Sequence, residues 1–343
     1  MQKLAAQKIL LSKISHYLNN SLIIGIVIGI PMTCHAQSYG RPPAGLPEAA
    51  LASGGNCRST QAVSEIQSKI PQLVNSARWR ELETLGDQLV SACPDSDIGY
   101  HWVGVSYLRQ GRSFAAIRAF EDSLRKREDA GAHLLLAEAY YELGQKQFFW
   151  EEIDAAKKMA PQESGIYYLA GLFCFQTEQA NEKAAEWFRM ALDRNPKHLL
   201  ARCHLALCLQ AMQQYKEAES TLLGAVGSVS GVNAQALPAL QLLVSLELEM
   251  NQPSDALNHA RLAAQIAPNS VNVQLALGKA AMATHDQSTA LAAFKAAGAL
   301  DPESPEAHYL LSRVYTAQGQ AQMAQQEITT FKRLRQLYHG SFE

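Results

Sequence analysis

The segment AAEWFRMALDRNP, residues 184–196, sets an alanine, an aromatic residue and a proline at fixed distances along the chain. The same arrangement returns in ALAAFKAAGALDP at 290–302, and in ALNHARLAAQIAP at 256–268 without the aromatic residue. Prolines of this kind stand at residues 94, 161, 196, 268 and 302, so the intervals between them are 67, 35, 72 and 34 residues. The intervals are close to multiples of about 34, which indicates stacked supersecondary units of that period.

Each unit is predicted to consist of two helices. Apolar side chains at three- and four-residue spacing predict a helix over 97–110, and Gly111 ends it because glycine adopts the left-handed conformation at low cost. We expect Gly104 and Ala116 to lie where the two helices cross closely, with the ring of Phe120 filling the neighbouring gap. Proline then ends the second helix, because it lacks the N–H group and disfavours helix in the residue before it.

These residues resemble a known repeat. YHWVGVSY (100–107) followed by AIRAF (116–120) is similar to the tetratricopeptide repeat, as are YYLAGLFC (167–174) and QLALGKAA (274–281) with the segments that follow them. The resemblance implies an all-α fold, an α-solenoid in which stacked helix–turn–helix repeats form a right-handed superhelix. The competing interpretation is a related helical-repeat class such as the Sel1-like type, whose repeats are usually longer.

The repeat pattern predicts how the chain is organised. Seven repeats run from 97 to 331, a degenerate helical pair at 57–96 precedes them, and a basic cap or tail follows at 332–343. Two repeats depart from the pattern, because Phe149 replaces the usual alanine and Ala260 the usual aromatic residue. We expect the helices of these repeats to pack at altered angles.

The N-terminal 36 residues predict a secretory signal peptide. Three lysines precede an uncharged apolar run from Leu22 to Met32, and small residues follow it. The run is about half of the ~20 residues that cross a bilayer, so an uncleaved membrane anchor is the lesser alternative. A flexible linker rich in proline and glycine is predicted at 37–56. We therefore expect a periplasmic or secreted protein with no membrane span after cleavage.

Charge and motifs argue against several kinds of function. The net charge is −2 and the isoelectric point is about 6.6, which gives no general attraction to nucleic acid. The sequence has no phosphate-binding loop and no hydrolase or metalloprotease motif. His204 and Cys208, one helical turn apart, could hold half of a metal site with Cys174, but packing is the preferred interpretation. We predict a protein that is not an enzyme and holds neither a cofactor nor a metal.

The resemblance implies that the first helices of successive repeats line a concave groove. The candidate lining residues are His101, Val105, Arg109, Leu134, Glu138, Tyr141, Tyr168, Leu172, Phe175, Leu207, Gln210, Gln241, Ser245, Leu275, Lys279, Tyr309 and Arg313. The middle of the set is apolar and aromatic, which suits a peptide, and Arg109, Lys279 and Arg313 could bind a carboxylate. The alternative for Tyr168, Leu172 and Phe175 is that they pack against the adjacent helix.

These features predict a monomeric, non-enzymatic scaffold that binds a protein or peptide partner of unknown identity. The alternative is a structural or assembly subunit that is permanently buried in a larger envelope complex.

Cysteines give a further expectation. Removal of the signal peptide leaves five cysteines, and Cys57 and Cys93 lie at the outer ends of the first helical pair. We predict a disulfide between them, with Cys174 paired to Cys203 or Cys208 as the alternative.

Overall fold

The computed structural model describes residues 60–227 and 233–340, and within these ranges the chain forms α-helices and no strand. This confirms the predicted all-α class of stacked helical repeats. The predicted signal peptide at 1–36 and linker at 37–56 lie outside the described residues. None of the described helices is both long enough and apolar enough to cross a bilayer.

Sixteen α-helices of similar length follow one another along the described chain. The first nine are α1 (Thr60–Asn75), α2 (Trp79–Ala92), α3 (Asp97–Arg109), α4 (Ser113–Lys126), α5 (Ala130–Glu142), α6 (Lys146–Met159), α7 (Ser164–Gln176), α8 (Asn181–Arg194) and α9 (Leu199–Ala211). The others are α10 (Tyr215–Gly227), α11 (Leu237–Glu249), α12 (Pro253–Ile266), α13 (Val271–Ala283), α14 (Gln287–Leu300), α15 (Pro305–Ala317) and α16 (Ala321–Gly340). A single 3₁₀ turn, Ala234–Ala236, leads into α11.

The described chain divides into two compact units, one of residues up to Cys208 and one from Leu209 onward. In each unit an odd-numbered helix packs against the even-numbered helix that follows, and the even-numbered helix packs against the next pair. Each unit is therefore a short solenoid whose core lies between successive helices.

The close helix crossings have the predicted cause. A Cβ atom added to Gly104 would lie 2.6 Å from Cε1 of Phe120, and one added to Gly171 would lie 2.6 Å from Cε1 of Phe188. Both rings are completely buried. Glycine on the first helix therefore gives the aromatic ring of the second helix its space.

The turn between the two helices of a pair always contains one residue with a left-handed backbone. These eight residues are Ala77, Gly111, Gly144, Gln179, Gln213, Asn251, His285 and Gly319, with φ between 52° and 71°. The backbone N–H of the residue after Gly111 donates to the carbonyl of Tyr107, so this carbonyl at the end of α3 gains a hydrogen-bond partner. The left-handed geometry of Gly111 was predicted, whereas the same geometry at the non-glycine residues was not.

The two repeats that depart from the pattern fill their cores differently. Phe149 is buried and stacks on Phe173 of α7 with ring centroids 4.1 Å apart. Ala260 is buried too, and Val244 stands on α11 at the position that glycine holds in α13.

Candidate functional site

Most of the predicted groove residues of the second unit lie on an exposed face of α11, α13 and α15, whereas Leu275 on α13 is buried. Ser245, Lys279 and Arg313 are exposed and hold the same position in successive first helices. Lys279 Nζ lies 2.6 Å from Glu306 Oε1, an ion pair between α13 and α15 whose side chains are 44% and 46% exposed. A pair so exposed contributes little to stability, so Lys279 can exchange partners at small cost.

Tyr309 and Arg313 extend this face along α15. The ring of Tyr309 is 42% exposed and packs beside Phe331 of α16, with centroids 5.4 Å apart. Arg313 is exposed one turn further along the helix, and the described residues place no carboxylate in ion-pair contact with it. We call Ser245, Lys279, Tyr309 and Arg313 the exposed row.

The first unit places its predicted groove residues differently. Arg109 Nη1 lies 2.6 Å from Glu138 Oε1, and Nη2 lies 3.3 Å from Oε2, with the two side chains 12% and 9% exposed. Loss of either partner would leave a buried charge uncompensated, so this pair holds α3 against α5. Beside it, the hydroxyl of Ser113 donates to Glu142 across 2.5 Å, and burial raises the pKa of that carboxyl.

Five of the predicted groove residues are apolar core residues, which corrects the sequence-based expectation: Val105, Leu134, Tyr168, Leu172 and Leu275. Tyr168 and Leu172 are 1% and 0% exposed. The Tyr168 ring lies 4.7 Å from that of His198 and 5.9 Å from that of Phe188, centroid to centroid. Burial lowers the pKa of His198. Tyr168 and Leu172 therefore fill the space between α7 and its neighbours and present no surface to a partner.

Tyr141 and Phe175 lie at the edge of this core. The Tyr141 hydroxyl donates to the side chain of Gln176, and its ring lies 6.0 Å from that of Phe173. Phe175 is half-buried beside the ring of His204, at 6.0 Å. Both keep part of their surface exposed, so they remain candidates for contact with a partner.

The sequence reasoning missed a row of hydrogen-bond donors at the fourth residue of the first helices. In five repeats the side chain of this residue reaches the carbonyl of a proline six residues earlier. The five pairs are Tyr100 with Pro94, Tyr167 with Pro161, Arg202 with Pro196, Gln274 with Pro268, and His308 with Pro302. A donor recurring six residues after the repeat proline is the signal that would have revealed it.

The cysteines inside the helices are buried thiols. Cys174, Cys203 and Cys208 are buried, and burial raises the pKa of Cys174 to about 11 and that of Cys208 to about 12. Thiols held in the protonated form are poor nucleophiles and metal ligands. Within residues 60–227 and 233–340, no group of three or more His, Cys, Asp or Glu side chains is placed to hold a metal ion.

The predicted disulfide involves a residue outside the described part of the chain. Cys93 is buried directly after α2, whereas Cys57 lies before the first described residue. The pairing stays a prediction.

Comparison with known proteins identifies the repeats. Two tetratricopeptide repeat family models match residues 104–147 and 285–332. No curated protein matches the chain.

Solved structures share the fold at low sequence identity. The APC/C hetero-tetramer Cut9–Hcn1 matches with a TM-score of 0.55 and 17% identity over 71% of this chain and 47% of that one. PilW, a type IV pilus biogenesis factor, matches with a TM-score of 0.53 and 21% identity over 62% of this chain and 96% of that one. PilF of Pseudomonas aeruginosa matches with a TM-score of 0.51 and 18% identity over 60% of this chain and 91% of that one. The two family models show that the chain contains tetratricopeptide repeats, and these structures show that it shares the fold of an all-α solenoid of helical repeats.

Proposed function

We propose that this protein is a scaffold that holds a peptide or an extended protein segment along the first helices of its repeats. Tetratricopeptide repeat folds are non-enzymatic interaction scaffolds, which supports the protein–protein part of the proposal. The observation that carries the proposed binding along the first helices is the exposed row, in which two cations and a tyrosine lie on successive first helices.

The chemistry of the exposed row favours a partner segment with an acidic group next to an apolar one. The Arg313 guanidinium can bind a carboxylate with two parallel hydrogen bonds. Tyr309 supplies an apolar ring with a polar tip close by, a combination common where binding energy is concentrated. Lys279 can leave Glu306 for a partner carboxylate at small cost, because the pair is exposed.

Capture from the native cell tests the proposal. An affinity-tagged protein is compared with the double variant Tyr309→Ala/Arg313→Ala and with the control Arg333→Ala, which removes an exposed arginine from the second helix α16. We expect the double variant to recover at least fivefold less of the partner, while the control recovers the normal amount. Equal recovery by all three would refute binding along the first helices. Recovery at a fixed stoichiometry that survives both changes would favour a permanently assembled subunit.

We further propose that the protein works in the cell envelope or outside the cell, because the sequence of its first 36 residues is typical of a signal peptide. N-terminal sequencing of the protein from its native cell should give a start near Gln37. A retained Met1 would contradict this location.

A further inference from the structure

Two of the first helices carry a histidine at their fourth residue, where the other donors in the row are tyrosine, arginine and glutamine. His308 places Nε2 3.1 Å from the Pro302 carbonyl and Nδ1 2.6 Å from Glu327 Oε2 on α16. His133 places Nε2 2.8 Å from Glu128 Oε2 and Nδ1 2.5 Å from Glu152 Oε2 on α6. Each ring therefore touches both the turn before its helix and the second helix of its own pair.

The chemistry of these contacts depends on the protonation state of the ring. Carbonyl and carboxylate oxygens are acceptors, so both ring nitrogens of His133 and of His308 face acceptors. A neutral imidazole has one N–H and one lone pair, whereas the imidazolium ion has two N–H groups. Only the protonated ring can donate to both partners, and a neutral ring leaves one nitrogen lone pair facing an oxygen.

We propose that His133 and His308 are proton-dependent ties. Each one, when protonated, fastens its first helix both to the preceding turn and to the second helix, and loss of the proton releases one of these two contacts. The pairs α5–α6 and α15–α16 therefore loosen when a rise in pH removes the ring proton. Pairs in which tyrosine, arginine or glutamine holds this position keep their contact over the same rise in pH.

The charged groups around the two rings agree with this assignment. The hydrogen bond that the His133 ring donates to Glu152 raises the pKa of His133, Glu128 acts in the same direction, and burial opposes them. The helices α3, α4 and α7 also pack against α5, but their described residues place no ion pair on His133. Glu327 is the charged partner of His308, and the described residues of α14, which packs against α15, add no ion pair to it.

The row itself supplies the matched test variant. Gln274 stands at the same position of α13, and its Nε2 donates to the Pro268 carbonyl across 2.7 Å. In the variant His308→Gln the glutamine amide should reach Pro302 in the same way at every pH. His285→Gln is the control, because it removes a histidine from the turn between α13 and α14, where glutamine at other turns adopts the same backbone.

Hydrogen exchange of the full chain between pH 5.5 and 8, corrected for intrinsic exchange rates, is the measurement. We expect the protection of α15–α16 amides to fall roughly two- to tenfold with rising pH, as for the loss of one hydrogen bond, while α13–α14 changes less. His308→Gln should remove this fall, and His285→Gln should leave it intact. A fall that persists in His308→Gln, or its absence from the unmodified protein, would overturn the proposal.

A second measurement keeps the test independent of how well the variant folds. Nuclear magnetic resonance of the ring nitrogens in the unmodified protein should show both nitrogens of His133 protonated at pH 5.5. The loss of this proton should coincide with the loss of α5–α6 protection. A neutral His133 ring at pH 5.5 would also overturn the proposal.

Discussion

The substitution Gly278→Ala should destabilise the second unit because the first helix α13 has no room for a methyl group. A Cβ atom at residue 278 would lie 2.5 Å from Cδ1 and 2.7 Å from Cζ of Phe294, which is fully buried on α14. The ring cannot move away without displacing its neighbours in the core, and such overpacking costs about 1–3 kcal/mol. Alanine returns about 1 kcal/mol through its better helix propensity, so the net loss is about 0–2 kcal/mol.

Gly298→Ala is the matched control. Gly298 lies inside α14, and the nearest atom to its added Cβ is Cδ1 of Leu311 at 3.9 Å, an ordinary contact. This variant should gain about 1 kcal/mol from helix propensity with no steric cost. The two glycine-to-alanine changes should therefore differ by about 1–3 kcal/mol, which is the cost of the crossing alone.

The assay is urea unfolding combined with hydrogen exchange of α13 and α14, since repeat arrays do not always unfold in one step. Adding Phe294→Leu to Gly278→Ala should recover part of the loss, although Phe294→Leu alone leaves a cavity and destabilises the protein. Equal gains from Gly278→Ala and Gly298→Ala would refute the account of the crossing, as would a double variant whose losses simply add.

Three further predictions concern a turn, a pH dependence and a disulfide. Gln213→Gly should stabilise the protein by about 0.5–1 kcal/mol in urea unfolding, because Gln213 has φ of 61° and a side chain is strained there. The hydrogen bond to Glu247 raises the pKa of His259. The stabilisation of the fold by this hydrogen bond should therefore be complete below about pH 6.5 and disappear as the pH rises through the pKa of His259 in the folded protein. His259→Gln should reduce this dependence of the free energy of unfolding on pH. A Cys57–Cys93 disulfide would close a 36-residue loop and stabilise the folded state by about 4 kcal/mol. Recovery of Cys57 as a free thiol in non-reducing peptide mapping would exclude it.

The parts of the fold that sequence predicts are those fixed by local chemistry. The helical period, the proline stops and the glycine–aromatic crossings depend on residues within one repeat, and the structure has them where the sequence places them. The left-handed turn at Ala77 and Gln179 was not predictable from residue type, because alanine and glutamine do not favour positive φ. Packing of the two helices fixes the turn, and the residue that happens to stand there adopts the required backbone.

The exposure of the candidate site depends on neighbours that a single repeat does not contain. Leu172 and Arg313 occupy corresponding positions of first helices, yet Leu172 is fully buried and Arg313 is exposed. Side chains from adjacent repeats decide between these outcomes, since they fill the space above the position in one unit and leave it open in the other. Periodicity assigns a residue to a helix face but cannot say whether that face is covered.

The pair α11–α12 shows what the repeat conserves when its sequence pattern fails. Val244 stands where α3, α7 and α13 have glycine, and Ala260 stands where the second helices of those pairs have phenylalanine. The larger side chain has changed helix, and both residues remain buried with the pair packed. The pair is therefore packed without the glycine and the aromatic ring that meet in the other three pairs. A search for glycine followed by an aromatic residue does not find this pair, although both of its residues at the corresponding positions are buried.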